Sequence, residues 1–155
     1  MVPTQIGLLH EFYSRPAFAK ITGKEVEALN FVKNNTPQDS VIVTPPYNQY
    51  LDLGSSTPNI WDWFDTSYVA ALSGRRTYFD DYEQVDIMGY DWKGRLEVKK
   101  TVFAGDDVDT VKNAFADTKG NILYYPKVEA PVVDPGSYGL TKIFENSDAV
   151  VWKAN

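Results

Sequence analysis

Apolar positions along the chain follow two rhythms, and the change from one to the other marks out its elements. In "TGKEVEALNFVKNN", Val26, Leu29 and Val32 fall on one helical face, reinforced by Ala28 and Phe31. Thr22 and Glu25 have capping-box spacing: the hydroxyl can accept from the N3 amide while the carboxylate reaches back to the cap amide. Pro37 disfavours helical backbone just before it, so "NNTP" ends this helix. The run "SVIVTPP" is short, β-branched and closed by Pro45 and Pro46, which reads as a strand buried on both faces. After a turn-rich loop, a second helix is predicted from about Asn59, with Trp61, Phe64, Tyr68, Ala71 and Leu72 along one face. Gly74 is its left-handed cap.

"RRTYFD" reads as a second short strand. Residues 92–104 form a further helix, with Trp92, Leu96 and Phe103 on one side and Lys93, Lys99 and Lys100 solvated. "GDDVDTVKNAFADTKG" is a clearer helix: Asp106 or Asp107 caps it, Val108, Val111 and Phe115 face inward, and Gly120 closes it. "NILYYP" is the third strand, and "LTKIFE" and "AVVWK" pair as an antiparallel hairpin across "NSD". Strands alternating with helices imply a small three-layer α/β/α domain, with a mostly parallel sheet and a C-terminal antiparallel hairpin. Residues 1–21 have no sustained period and read as a lead-in packed on a single domain over residues 22–155.

Composition narrows the function. At 155 residues the chain can bury about 70% of its unfolded surface, enough for one real core. A net charge of −6 argues against tracking a nucleic-acid backbone or docking on anionic lipid. There is no cysteine and only one histidine, His10, so thiolate chemistry is excluded and a Ser–His–Asp triad would have to recruit His10. No run approaches the roughly 20 apolar residues of a membrane span, and the start has no basic region before a long apolar stretch. The sequence as it stands is therefore expected to be soluble.

Candidate chemistry is sparse. No GxGxxG follows a strand and "ITGKEVEAL" lacks the glycines of a phosphate loop, so no nucleotide cofactor is expected. "PGSYG" lacks the order of a nucleophile elbow and reads as a turn. Arg75 and Arg76 could fork a phosphate or carboxylate. The preferred reading is structural: cations beside a helix C-terminus, one of them paired with Asp80, Asp81 or Glu83. Strand alternation also points the two arginines apart. Asp80, Asp81, Glu83 and Asp86 could hold calcium or work as an acid/base pair, but they miss the calcium-loop pattern and read as a solvated loop. "WDWFD", with Tyr47 and Tyr50 before it, could present Trp63 and the two tyrosines as platforms for sugar rings. Trp61 falls on the core stripe, and core packing is the preferred reading of the segment. "NNT" at 34–36 matches a glycosylation acceptor, with Pro37 directly after it.

The ordered set "EVEALNFVKNNTPQDSVIVTPP", "ALSGRRTYFDDY", "GRLEVKKTVFAG", "NILYYP" and "LTKIFENSDAVVWK", spanning residues 24–153, resembles the soluble C-terminal extracytoplasmic domain of polytopic GT-C-type glycosyltransferases. The resemblance implies a polyprenyl-phosphate-sugar-using membrane enzyme, or a relative without catalysis, whose spans precede this segment. Met1 would then be a start added to a truncated chain. Catalytic acids of that family lie in loops of the membrane part, so none transfers to this sequence. "WDWFD" is only superficially similar to the acceptor motif of oligosaccharyltransferases: Asp62 replaces its second tryptophan and the Tyr-Gly ending is missing. The expectation is a non-catalytic extracytoplasmic domain that scaffolds the membrane-embedded part of its parent chain or touches a glycan or lipid-linked sugar. Substrate contacts are expected among Tyr47, Tyr50, Trp63, Arg75, Arg76, Asp80 and Asp81. The alternatives are a stand-alone carbohydrate-binding module and a small carboxylate-dependent hydrolase.

Overall fold

Helix α1 (Gly23–Asn35) begins where the sequence placed it. Thr22 Oγ1 accepts the Glu25 amide at 3.0 Å, a cap worth about 1 kcal/mol. The reciprocal arm turns elsewhere, because Glu25 Oε1 points inward to two tyrosine hydroxyls. At the other end the Thr36 amide and hydroxyl both bond back to Val32 O, at 3.1 and 2.7 Å. The computed structural model describes residues 6–7, 9–10, 13–14, 17–47, 57–63 and 65–155, with the backbone alone at 62 and 63. Tyr50, Phe64 and the Trp63 side chain lie outside the described residues.

The elements that follow are β1 (Val41–Val43), α2 (Ile60–Trp63), α3 (Tyr68–Ser73), β2 (Arg76–Thr77), α4 (Tyr82–Ile87), α5 (Lys93–Ala104) and α6 (Val108–Asp117). They are completed by β3 (Ile122–Pro126), β4 (Leu140–Glu145) and β5 (Ala149–Ala154). One five-stranded sheet runs β2-β1-β3-β5-β4. β1 is parallel to both β2 and β3, while β3 with β5 and β5 with β4 are antiparallel. Hairpin closure uses Asn146, whose Oδ1 accepts the amides of Asp148 and Ala149 at 3.0 Å each, a turn that asparagine builds with its own side chain.

Strand alternation sorts the core into two layers. Ile42, Ile122, Tyr124, Ala149 and Val151 pack with Ala28, Leu29 and Val32 of α1 and Val69 of α3. Their neighbours Val43, Leu123, Tyr125, Val150 and Trp152 face the other way, onto Val102 and Phe103 of α5 and Val111 and Phe115 of α6. Both sides of the sheet are thus covered, giving a mixed α/β domain of three layers. Covering both faces is why "ILYYP" is buried at every position. Lys20, at the end of the lead-in, bridges to Asn59 through backbone bonds of 2.9 and 2.8 Å with Pro58 and Ile60.

Several boundaries differ from the sequence expectation. The helix expected from Asn59 to Leu72 is two short helices, with residues 65–67 between them outside helix, where the Asp65 carboxyl turns away to the Tyr82 amide. Ala71 and Leu72 are exposed; Val69 and Ser73 face the core instead. Gly74 does cap α3 in the left-handed region, at φ 63°. The "RRTYFD" strand contracts to Arg76–Thr77, with the Tyr78 amide adding one more bond to Ile42 O at 2.8 Å. Asp107 caps α6 by accepting from the amide and hydroxyl of Thr110. Val108, expected inward, is exposed, and Ala114 takes its place. At Gly120 the need is space: a Cβ there would run into Val43 Cγ2 and Thr118 Oγ1. Lys119, not Gly120, takes the left-handed conformation after α6. Among the described residues no helix is long and apolar enough to cross a membrane.

Candidate functional site

Parallel strands β1 and β2 deliver Thr44 and Asp80 to the same edge of the sheet, just past their carboxyl ends. The Thr44 hydroxyl donates to Asp80 Oδ1 at 2.6 Å. Lys99 reaches them from α5, and its ammonium donates to Phe79 O at 2.6 Å, Thr44 Oγ1 at 3.0 Å and Asp80 Oδ1 at 3.0 Å. The side chains of Lys99 and Asp80 keep only 3% and 7% of their exposure. All three ammonium protons are therefore used, as a buried lysine requires. This corrects two expectations: Lys99 is not solvated, and Asp80 does not belong to a solvated acidic loop. Glu83 and Asp86 do face solvent.

Asp65 enters the same region from the break between α2 and α3. Its Oδ2 accepts the Tyr82 amide at 2.7 Å and so caps α4 from 17 residues away. The turn into that helix holds Asp81 in the left-handed region, at φ 59° and ψ 55°, a conformation that aspartate tolerates better than most residues. Burial pushes the Asp65 carboxyl up from its ordinary range, opposed by the amides of Tyr82 and Asp81 and by the Lys99 charge; the Asp80 charge adds to the rise. Behind it sits a second buried carboxyl, Glu25. Its Oε1 accepts from Tyr68 OH at 2.8 Å and Tyr124 OH at 2.9 Å. Desolvation raises Glu25, with the two tyrosine hydroxyls and the Trp61 indole opposing. Burial and the neighbouring Glu25 charge drive Tyr68 and Tyr124 well above the usual phenol range.

Thr44, Asp65, Thr66, Tyr68 and Asp80 together line a cavity of about 30 Å³. Tyr47, Trp61 and Glu129 also contribute to its wall. Two of its buried polar atoms, Asp80 Oδ2 and Thr66 Oγ1, have no hydrogen-bond partner among the described residues. A shallower groove of about 190 Å³, lined by Pro45, Pro46, Phe103 and Val128, lies beside it. The position follows from the topology. The chain leaves β1 toward β2 on one side, while β3 pairs on the other, and open α/β sheets bind ligands where strand order reverses in this way.

The expected site residues divide. Tyr47 and Asp80 line the cavity; Asp81 does not. Arg75 Nη2 donates to Lys33 O at 2.6 Å and Thr36 O at 2.8 Å, which satisfies carbonyls at the C-terminus of α1. Arg76 contacts Asp39 O at 3.3 Å and lines an open groove with Arg95 and Lys119, beside Val41 where β1 begins. Neither arginine pairs with Asp80, Asp81 or Glu83 among the described residues, so that expected ion pair is replaced by the one from Lys99. Sequence reasoning missed Lys99, Thr44 and Thr66. A signal for Lys99 was present, since Leu96, Lys99 and Phe103 are spaced three and four apart on one helical face.

The fold and cleft define an α/β domain with an acceptor-rich, aromatic-walled recess at the carboxyl end of its parallel strands. No protein-family model matches the chain, and no curated protein is significantly similar to it.

Proposed function

We propose that the chain is the extracytoplasmic domain of a polytopic GT-C-like membrane protein, itself non-catalytic, and that its cleft contacts the glycan acceptor or lipid-linked sugar. The observation carrying this reading is the convergence of Tyr47, Trp61, Asp65 and Asp80 on one recess. Aromatic faces stack on sugar rings and carboxylates accept from sugar hydroxyls, so the recess has the parts a glycan contact needs. The membrane setting rests on the ordered motifs between residues 24 and 153. A hydrolytic role for Asp80 with Asp81 is disfavoured, because Asp80 Oδ1 is held by Lys99 and Thr44 and Asp81 stands outside the cavity wall.

Two experiments test it. Oligosaccharides titrated into the protein are expected to change tryptophan fluorescence saturably, and Trp61→Phe is expected to remove most of the change. A flat titration across neutral, acidic and amino-substituted oligosaccharides contradicts glycan contact. Sequencing the genomic DNA ahead of the Met1 codon tests the setting. An open frame encoding several apolar spans is expected; a stop codon immediately upstream in frame contradicts it.

A further inference from the structure

With 21 acidic side chains against 15 basic ones, cations in this chain have no shortage of partners. Lys24, Lys99, Lys100, Lys127 and Lys142 all sit in ion pairs. Arg76, Arg95 and Lys119 form none among the described residues, and all three line one groove of about 360 Å³ along β2, the outer strand of the sheet. Among the described residues Asp117 is the only carboxylate in that lining. Tyr78 holds Arg95 in place: its carbonyl accepts from Nη1 at 3.3 Å, and its ring centroid lies 5.7 Å from the guanidinium carbon. Arg76 spends one N–H on Asp39 O, at 3.3 Å. A guanidinium carries five N–H donors, so among the described residues each arginine keeps most of its donors open. Lys119 joins them from the left-handed turn after α6, at φ 53°. That conformation is costly for lysine and free for glycine, and Gly120 stands next to it. A cation past a helix C-terminus complements the helix dipole, which accounts for the charge of Lys119 but for neither arginine.

Charge selects the ligand. Three cations against one carboxylate leave the groove a net +2. A phosphate monoester carries about −1.5 to −2 at pH 7 and offers three strong acceptor oxygens. A carboxylate brings a single charge and two oxygens. Guanidinium forks also match the edge of a phosphate, with two parallel donors to two oxygens. We infer that the groove along β2 binds a phosphate monoester group through Arg76, Arg95 and Lys119, at a site separate from the recess and independent of the glycan contact. The adjacent arginines thus divide their work: Arg75 serves the end of α1, while Arg76 shares the groove with the guanidinium of Arg95.

The test titrates glycerol phosphate and acetate into the full chain, reading amide chemical shifts, and sediments the chain with phosphatidylcholine vesicles containing or lacking phosphatidic acid. Glycerol phosphate is expected to bind saturably and at least about tenfold more tightly than acetate, to shift Arg76, Thr77, Arg95 and Lys119, and to weaken as salt rises. Arg76→Gln and Arg95→Gln are each expected to weaken it about three- to tenfold, and Asp117→Asn to tighten it about threefold. Lys119→Gly separates binding from folding. It relieves the left-handed backbone, so the urea midpoint is expected to hold or rise while phosphate binding weakens about threefold. Phosphate binding without vesicle binding assigns a soluble phosphate ester. Vesicle binding that requires phosphatidic acid and fails in Arg76→Gln assigns a lipid headgroup; either result supports the site. A fall of both midpoint and binding in Lys119→Gly, or acetate binding as tightly as phosphate, overturns the inference. Silence from phosphate and vesicles alike, or shifts spread evenly over the surface, overturns it too.

Discussion

Replacing Lys99 by methionine removes one atom's worth of chemistry from the most enclosed ion pair among the described residues. Methionine keeps the aliphatic stem, so the lost quantity is the ammonium and its three bonds. Phe79 O and Thr44 Oγ1 each lose a donor, and among the described residues Asp80 keeps only the Thr44 hydroxyl, at 2.6 Å, for a side chain 7% exposed. An exposed pair would be worth no more than about 1 kcal/mol. Removing one partner of a buried pair instead strands the other charge and costs about 3–5 kcal/mol. For a domain of this size each kcal/mol moves the melting temperature by about 2–4 °C, so Lys99→Met is expected to melt about 6–20 °C below wild type. Calorimetry, with urea unfolding as a check, measures this directly. The double variant Asp80→Asn with Lys99→Met removes the stranded charge. It is expected to be less destabilised than the sum of the two single variants by about 0.5–3 kcal/mol. A Lys99→Met protein within about 1 kcal/mol of wild type refutes the reasoning, as does strict additivity of the two changes.

Further expectations follow from the buried carboxyl and the tight approach of β1. Glu25 has a folded-state pKa above its unfolded one, so its contribution is fully present below about pH 4.3 and is lost as pH rises through the folded value. Glu25→Gln keeps an acceptor for Tyr68 and Tyr124 and is expected to gain stability on wild type steadily from acid toward neutral pH; a gap that stays constant, measured by urea unfolding across pH, contradicts the assigned cause. Gly120→Ala forces a methyl against Val43 and Thr118 and is expected to lose about 1–3 kcal/mol by overpacking, read as a lower urea midpoint; an unchanged midpoint contradicts the close approach.

The parts of the fold written in local chemistry could be read without coordinates. Thr22 and Asp107 announce their helices, Gly74 ends one, and Asn146 turns the hairpin, each through bonds spanning a few residues. The three-layer arrangement was legible too, because "VIV", "ILYYP" and "AVVW" carry apolar side chains on both faces. What escaped was set by distant partners. Lys99 sits next to Lys100 in a polar-looking stretch, and its burial depends on Thr44, 55 residues earlier, and Asp80, 19 residues earlier. Asp80 and Asp81 are adjacent in sequence, yet one turns into the cavity and the other into a left-handed turn held by Asp65. One of the two arginines was expected beside acids; Arg75 instead gives its guanidinium to the open carbonyls of α1. The neighbouring pair of arginines and pair of aspartates were each separated by backbone direction.

The account stands on the recess past β1 and β2 being the surface that meets a ligand. Amide chemical-shift mapping with titrated oligosaccharides examines this most directly. Perturbations are expected to centre on Thr44, Thr66, Asp80 and Tyr82, with Arg76 and Lys119 in the far groove unmoved. Shifts confined to Arg76, Arg95 and Lys119, or spread evenly over the surface, contradict it.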